Sequence, residues 1–458
     1  MFPINLGQLA RVVGGQLVRG NPNTPVKHAI YQNIRYLGPG RIFFITAKYT
    51  KKFSPVELRT KSSAGIVATP AWKNLIPSHH PLIIVPNADE ALWKLAVRQR
   101  SHTKALVIGI TGSQGKTTTK EMLASILKRK YITYKSPANN NIALYTPGHL
   151  FHLNGSHQAV VLEMGMASLG NIRKQCLLAR PTIGVVTNVG EAHVGKLGNS
   201  LKNVVKAKQE LIDGMNRQGI LVLNADDKGS RHLSVANFHG KVVTIGIRKP
   251  ATLQAKNIRF TTNGMHFTVN GDPYHIKTWG RHNVYNALAA IAVARVLKLP
   301  VPLIQKGLAN YDAPSMRLQK VRGINGFLLI NDAYNANPSS MIAGLKVLKR
   351  VSKQRTSAAV LGDIHELGNY SVPGHSRVGK FVGNKIKPSY LITIGPQAAV
   401  IARTAAAHGM PGNRIRSFST QAAALRFIRS TIPSGSVLYF KASRKMRLEW
   451  LVNHLKAR

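Results

Sequence analysis

The sequence predicts an α/β protein of three units: a small α/β N-terminal domain, a central P-loop domain with a mostly parallel sheet, and a C-terminal Rossmann-like α/β domain. Three observations carry this. The chain of 458 residues is too long for one ordinary domain. Apolar runs of strand length alternate with helical patterns almost throughout, the signature of βα units on a parallel sheet. Apolar residues make up 44% of the chain, enough for real cores. The boundaries fall at 1–102, 103–313 and 314–458.

In order, the first unit holds the short strands "RIFFIT", "AGIVAT" and "PLIIVP" and closes with the helical "ADEALWKLAVRQRS". The second starts at the strand "ALVIGI" and continues through "AVVLEMG", "PTIGVVTNVG" and "GILVLNADD". It ends at the helix "NVYNALAAIAVARVL" and the turn-rich "KLPVP". The third reads strand "FLLINDAYN", helix "SSMIAGLKVLKRV", strand "AAVLGDI" and strand "YLITIG". Helix "AAALRFIRS", strand "VLYFKAS" and helix "RLEWLVNHLKA" complete it. The strands are rich in β-branched and aromatic residues, and the helices space their apolar residues three and four apart. No internal repeat or low-complexity tract interrupts this order.

One cysteine excludes a disulfide framework and suits a reducing compartment. The opening "MFPINLGQLARVVGGQLVRG" lacks the pattern of a signal peptide. No run reaches the ~18 uninterrupted apolar residues of a spanning helix. A cytoplasmic, monomeric protein with no integral membrane segment is expected.

The formal charge is +48, from 64 Lys and Arg against 16 Asp and Glu. Such a charge favours polyphosphate ligands, anionic surfaces and nucleic acid. The bases are dispersed, however, and aromatics, at 7%, do not interleave with them as a stacking groove requires. Nucleic acid is therefore not the expected partner; a general shift of surface composition is the favoured reading of the charge, whose reason the sequence leaves open. Where surface acids are so scarce, those remaining are enriched at positions that need one: Glu163, Glu210, Asp332, Asp363, Glu366 and Glu449.

The stretch "VIGITGSQGKTTTKEML" is the sharpest signal. A strict phosphate loop needs Gly at 110, where this chain has Ile110; its glycines are Gly109, Gly112 and Gly115. The physics survives, because a strand still feeds a tight turn whose N–H groups and following helix N-terminus attract anionic oxygens. Gly112, Ser113, Gly115, Lys116, Thr117 and Thr118 form this candidate ATP site, with Lys116 reaching the β- and γ-phosphates and Thr117 offering its hydroxyl to Mg²⁺. A hard cation needs further oxygen ligands, and Glu163, after the strand "AVVL", is the candidate carboxylate. A strand-end surface Glu is the bland alternative. His193, in the glycine-rich "TNVGEAHVGKLG", reads equally well as structural or functional.

These pieces, in order with "LEMGM", "KAKQEL", "GRHNVYNALAA", "MRLQ", "NDAYNANPSSM", "LGDIHELG" and "KASRKMRLE", resemble the Mur ligase family, the ATP-dependent amide-forming enzymes of peptidoglycan precursor synthesis. "YNANP" with "LGD…ELG" is similar to the branch that adds D-alanyl-D-alanine to a UDP-N-acetylmuramoyl-tripeptide. The resemblance implies that ATP activates a carboxylate as an acyl phosphate, which an amine then attacks, in the service of cell-wall biogenesis, cell shape and division. It implies roles residue by residue. Lys116, His193, Lys208 and Arg317 would be catalytic, and Thr117, Glu163, His193 and Lys208 (as a carbamate) would face Mg²⁺. Asn283, Arg317 and Asp332 would meet adenine, γ-phosphate and ribose. Asn139, Asn140, Asn141, Tyr334, Asn335, Asn337, Lys441 and Ser443 would serve the substrates, with the 1–102 unit holding the UDP-sugar. "YNANP" also reads as a plain turn and N-cap.

The likeness weakens toward the N-terminus. The family's D-S-R and D-G-H stretches are absent from "YQNIRYLGPGRIFFITAKYTKKFSPVEL", where Arg35 alone matches. "SPANNNIALYTPGHL" has Ala143 and a displaced Pro147 in place of Gly-x-Pro, and Lys-Gly-Ser-Arg appears as Lys441-Ala442-Ser443-Arg444. A paralogue acting on a different carboxylate or amine is therefore the alternative.

Overall fold

The computed structural model describes residues 1–50 and 53–457, and its strands form three sheets that follow one another along the chain. The first sheet comprises β1 (Gln16–Arg19), β2 (His28–Ile30), β3 (Arg41–Phe44), β4 (Gly65–Ala68) and β5 (Leu82–Ile84), in the order β1-β5-β4-β3-β2. Its edge strand β1 runs antiparallel to β5, and the other pairings are parallel. Two helices cover it. In Leu6–Val13 the apolar Leu6, Leu9, Ala10 and Val13 recur at helical spacing and are buried, and an Asn5–Gln8 capping box starts the helix. In Ala88–His102, Asn87 accepts from the N–H groups of Asp89 and Glu90, which also complement the helix dipole.

The central sheet holds β6 (Leu106–Thr111), β7 (Thr133–Lys135), β8 (Ala159–Glu163), β9 (Ile183–Val186), β10 (Ile220–Asn224), β11 (Lys241–Gly246), β12 (Leu253–Thr261), β13 (Gly264–Val269) and β14 (Asp272–Ile276). Their order is β14-β13-β12-β11-β10-β9-β6-β8-β7. From β6 the chain runs first to the edge strand β7, returns to β8 beside β6, and then crosses to add β9 on the other side. The carboxyl end of β6 is thus a topological switch point, where open α/β sheets bind ligands. The strands β12 to β14 are an antiparallel ribbon that the sequence reading does not contain, although Asn-Gly dipeptides mark both of its turns: Asn263-Gly264 closes the first, and Asn270-Gly271 forms the second.

Helix Lys116–Leu127 follows β6 and buries Met122, Leu123, Ile126 and Leu127 completely. Each such side chain contributes roughly 1.5–3 kcal/mol, which anchors the loop ahead of the helix. It packs on helix Arg281–Val296, apolar on all sides and buried from Val284 to Ala294 apart from the partly exposed Tyr285 and the polar Asn286.

The third sheet contains β15 (Gln319–Arg322), β16 (Leu328–Asn331), β17 (Ser357–Gly362), β18 (Tyr390–Ile394), β19 (Ile415–Phe418) and β20 (Val437–Lys441), ordered β15-β16-β20-β17-β18-β19. All pairings are parallel except β15 with β16. The boundaries proposed at 102/103 and 313/314 lie between the sheets. Among the described residues no helix is long and apolar enough to cross a membrane.

Candidate active site

The loop after β6 is shaped by two glycines. Gly112 has φ of 145° and Gly115 has φ of 80°, both in the region that side chains rarely adopt. A Cβ at Gly112 would lie 1.9 Å from Thr187 Oγ1, and one at Gly115 would lie 2.2 Å from Asn286 Oδ1. Ile110 still belongs to β6 and is fully buried in its core, so the turn does not need a glycine there. The loop is laced to the segment after β9. Ser113 N–H donates to Asn188 O at 3.0 Å, Ser113 Oγ to Gly190 O at 2.9 Å, and Gln114 N–H to Asn188 Oδ1 at 3.0 Å. Helix Lys116–Leu127 begins with no side-chain cap, leaving its first N–H groups available to anionic oxygens. Lys116 folds back and donates to Gly112 O at 2.7 Å. Burial holds its pKa below the ordinary lysine range, with Glu163 opposing the shift and Arg317 adding to it.

Glu163 ends β8 beside this loop. Its Oε1 accepts from Asn141 Nδ2 at 2.7 Å, whereas Oε2 is buried with no hydrogen-bond partner. An orphaned carboxylate oxygen in a cleft is what a hard cation requires. Among the described residues no group of three or more His, Cys, Asp or Glu side chains is arranged to hold a metal. A cation here would take a carboxylate, a hydroxyl and phosphate oxygens, which fits Mg²⁺. Lys120, fully buried, stands 3.9 Å from Glu163 Oε2 and donates to Ser136 O at 2.7 Å and Ala138 O at 2.9 Å, fixing the segment that carries Asn139 to Asn141.

Lys208, on helix Leu201–Gly214, is 1% exposed, and among the described residues its Nζ reaches only Met166 Sδ, at 3.4 Å. Burial and the neighbouring Lys116 charge push its pKa well below the usual value, so the amine is held toward its neutral form. His193 occupies the left-handed region with φ of 65°, and its Nδ1 lies 2.7 Å from Glu366 Oε2. Burial lowers the pKa of its ring; Lys116 and Lys208 add to the shift, and Glu366 opposes it.

The third unit closes over the loop. Arg317 Nη2 donates to Thr117 Oγ1 at 2.9 Å while its guanidinium lies 4.4 Å over the Tyr334 ring. Gln114 Nε2 donates to Asn337 Oδ1 at 2.9 Å. Asp332 accepts from Lys441 Nζ at 2.6 Å and from Tyr439 OH at 3.0 Å. The first unit is tied on at the other side, where Tyr31 OH donates to Leu144 O at 2.8 Å and accepts from Gly148 N–H at 3.1 Å. The cleft between these elements has a volume of about 430 Å³.

Residues 110–294 match the Mur ligase middle domain, and residues 316–444 match the Mur ligase glutamate ligase domain. The chain belongs to the Mur ligase family. The UDP-N-acetylmuramoyl-tripeptide–D-alanyl-D-alanine ligase of Bacillus subtilis is 30% identical over 99% of this chain and 99% of its own length. The protein of the same name from Escherichia coli is 30% identical over 100% of this chain and 99% of its own. A crystal structure of MurF from Acinetobacter baumannii superposes with a TM-score of 0.86 at 27% identity, covering 99% of this chain and 98% of that one. The MurF ligase of Thermotoga maritima in complex with ADP shares the fold, with a TM-score of 0.78 at 22% identity and coverage of 93% and 97%.

Most residues named from the sequence line this Mur ligase cleft: Ser113, Gly115, Lys116, Thr117, Thr118, Asn139, Asn141, Glu163, His193, Lys208, Asn283, Arg317, Asp332, Tyr334, Asn335, Asn337 and Lys441. Gly112, Asn140 and Ser443 are not among the lining residues; Gly112 shapes the turn from behind, against Thr187. The Asn140 carbonyl instead meets His149 Nε2 at 2.7 Å, and buried Ser443 accepts from His365 N–H at 2.8 Å, holding the loop after β17. Several side chains have protein partners that alter the expected role. Both amide protons of Asn283 go to Thr278 Oγ1 and Trp279 O, and its Oδ1 already accepts from Asn286 Nδ2 at 3.0 Å, which leaves a single lone pair for a base. Asn337 caps helix Pro338–Ser352, so the turn-and-cap reading of "YNANP" holds at that position, and the same oxygen also takes the Gln114 contact. Lys441 is engaged by Asp332. Lys120 and Gln114 went unnamed in the sequence; the only signal is that Lys120 sits one helical turn beyond Lys116.

Proposed function

We propose that this Mur ligase is an ATP-dependent amide ligase that joins D-alanyl-D-alanine to the peptide carboxylate of a UDP-N-acetylmuramoyl-tripeptide. The observation that carries it is the meeting of Arg317, from the third unit, with Thr117 of the phosphate loop in one cleft. The full-length relatives named for this substrate pair support the choice of substrates, and their alignment extends over the N-terminal unit, where the motif departures lie.

In this reading the γ-phosphoryl of ATP passes to the peptide carboxylate, giving ADP and an acyl phosphate. The dipeptide amine attacks the acyl carbon, a C–N bond forms, and phosphate leaves with the C–O electron pair as the amine loses its proton. Loop N–H groups and Lys116 hold the moving phosphoryl, and Arg317 adds a second positive charge from the opposite wall. Mg²⁺, when bound, would supply further charge neutralisation, with Thr117, Glu163, His193 and Lys208 as the residues to hold it. Lys208, its amine held toward the neutral form by burial, is poised to add CO₂ and release a proton, which would make it an anionic oxygen ligand. Closure of the third unit excludes water that would hydrolyse the acyl phosphate. A cytoplasmic location and Mg²⁺ as the metal belong to the same proposal.

The test is phosphate release from ATP and Mg²⁺ by purified protein, with each substrate alone and with both. Release that needs both, with a pentapeptide product by mass, is expected. ATP turnover indifferent to this pair would remove the substrate assignment and favour a paralogue with another acid, the reading prompted by the exposed Arg35 standing without the family's nearby acids.

A further inference from the structure

The contact between His193 and Glu366 joins two units through two residues that are both held in an unusual conformation. His193 has φ of 65° and Glu366 has φ of 66°, and neither is a glycine. Such backbones persist where their surroundings over-determine them, and they cluster at functional sites. Here the surroundings are a reciprocal docking of two loops. Gly195 N–H donates to Glu366 O at 3.0 Å, and Asn369 N–H donates to Asn199 Oδ1 at 2.9 Å. The Glu366 carboxylate then spans two central-unit side chains, with Oε2 at 2.7 Å from His193 Nδ1 and Oε1 at 2.6 Å from Lys196 Nζ.

The chemistry of the ring gives this contact a consequence. A neutral imidazole carries one N–H, and a carboxylate beside Nδ1 draws it there, leaving the Nε2 lone pair for a ligand. Histidines that bind metals are oriented in this way by a carboxylate on the other nitrogen. His193 lines the cleft, yet its own unit supplies no carboxylate to Nδ1; the partner lies after β17, in the third unit. The other basic neighbours, Lys116, Lys196 and Lys208, offer the ring no carboxylate, so Glu366 is the anionic acceptor beside Nδ1.

We propose that Glu366 is a positioning residue: delivered by the third unit, it fixes His193 as the Nδ1–H tautomer and so commits Nε2 to the cation in the cleft. This rests on the reading of His193 as a metal-facing residue in the ligase proposed above. It goes beyond that reading by making the metal site depend on a carboxylate that the third unit delivers to the far nitrogen of the ring.

The test has two readouts. In metal-free protein labelled with ¹⁵N-histidine, multiple-bond ¹⁵N–¹H spectra report the tautomer, with the His193 signal assigned by its loss in His193→Gln. The Nδ1–H form is expected in the unaltered protein, and a shift toward Nε2–H in Glu366→Ala. In parallel, Mn²⁺ binding in the presence of ADP is followed by electron paramagnetic resonance. Glu366→Ala should weaken it about 10-fold, while Glu366→Gln, which keeps an acceptor oxygen, should lose less. An Nε2–H tautomer in the unaltered protein would overturn the inference even if every Glu366 variant failed to fold. So would undiminished Mn²⁺ binding in Glu366→Ala alongside weakened binding in His193→Gln. If His193→Gln itself binds Mn²⁺ normally, the metal reading of His193 falls, and this inference with it.

Discussion

Replacing Lys208 with Met should destroy ligation and at the same time stabilise the protein. Lys208 is 1% exposed, and the hydrogen-bond acceptor available to its amine is the Met166 sulfur at 3.4 Å, a weak one. Burying an amine with so little compensation costs about 1–3 kcal/mol on the scale of protein mutational data. Methionine matches lysine in length and helix propensity, so the substitution within helix Leu201–Gly214 opens no cavity and removes that cost. If the central unit melts as one body, the gain corresponds to a rise of about 2–12 °C in its midpoint. The advantage has a sign with pH. The lysine pKa is lowered in the folded state, so between that lowered value and the ordinary ~10.4 the unfolded chain binds more protons than the folded one. Stability of the parent protein therefore rises with pH through this window, and the lead of Lys208→Met is largest at the low end and fades toward pH ~10. The assay is thermal unfolding by circular dichroism in CO₂-free buffer from pH 6 to 10, beside the ligation assay. In bicarbonate the lead should shrink, since a carbamate would gain partners the amine lacks. A variant less stable than its parent in CO₂-free buffer would refute the argument, because the amine would then be making a favourable interaction that this environment does not provide.

Other consequences follow from the same geometry. Lys116→Ala should abolish ATP-dependent ligation by removing charge from the transferred phosphoryl, a loss of about 3–4 kcal/mol or more in transition-state stabilisation; ligation at a normal rate would sink the assignment. Glu163→Gln removes the charge from the one orphaned carboxylate oxygen near the loop, so the Mg²⁺ concentration for half-maximal activity should rise at least 10-fold; an unchanged Mg²⁺ titration would show that the cation is held elsewhere. Gly115→Ala places a Cβ 2.2 Å from Asn286 Oδ1 at φ of 80°, and should displace the loop and eliminate ADP binding by calorimetry without unfolding the third unit. Acidification should loosen the contact between the central and third units: Glu366 has a pKa lowered to about 2, chiefly by its His193 hydrogen bond, so its contribution is complete above the ordinary carboxylate range and is lost as pH falls toward 2. Small-angle scattering across that range would detect the opening, and an envelope unchanged down to pH 2 would count against the contact.

Much of the architecture was legible because it is encoded over short spans. Strands such as Ala159–Glu163 and helices such as Ala88–His102 announce themselves through periodicity and caps within one window of sequence. The phosphate loop was legible for the same reason, its glycines and lysine lying within a few residues of each other. The β12–β14 ribbon carried its Asn-Gly turns in plain view, but a reading committed to βα alternation had no place for it. Acid scarcity did single out residues with specific work. Glu163 faces the cleft, Glu366 bridges two units, and Asp332 engages Lys441, whereas Glu210 secures the start of helix Asn171–Ala179 through Gly170 and Arg173 N–H groups. The pattern marked where an acid is needed without saying whether for chemistry or for folding.

By itself the sequence determined the fold class, the loop that grips phosphate and the identity of the groups available around it. Tertiary structure alone decided how those groups are paired. Arg317 and Thr117 are 200 residues apart in the chain, Gln114 and Asn337 are 223 apart, and His193 and Glu366 are 173 apart. Periodicity and capping act over a few residues, so no local pattern records which side chain will meet another when separate sheets close on one cleft. The same holds for Lys208, whose lowered pKa is a consequence of complete burial beside Lys116 rather than of anything in "KAKQEL".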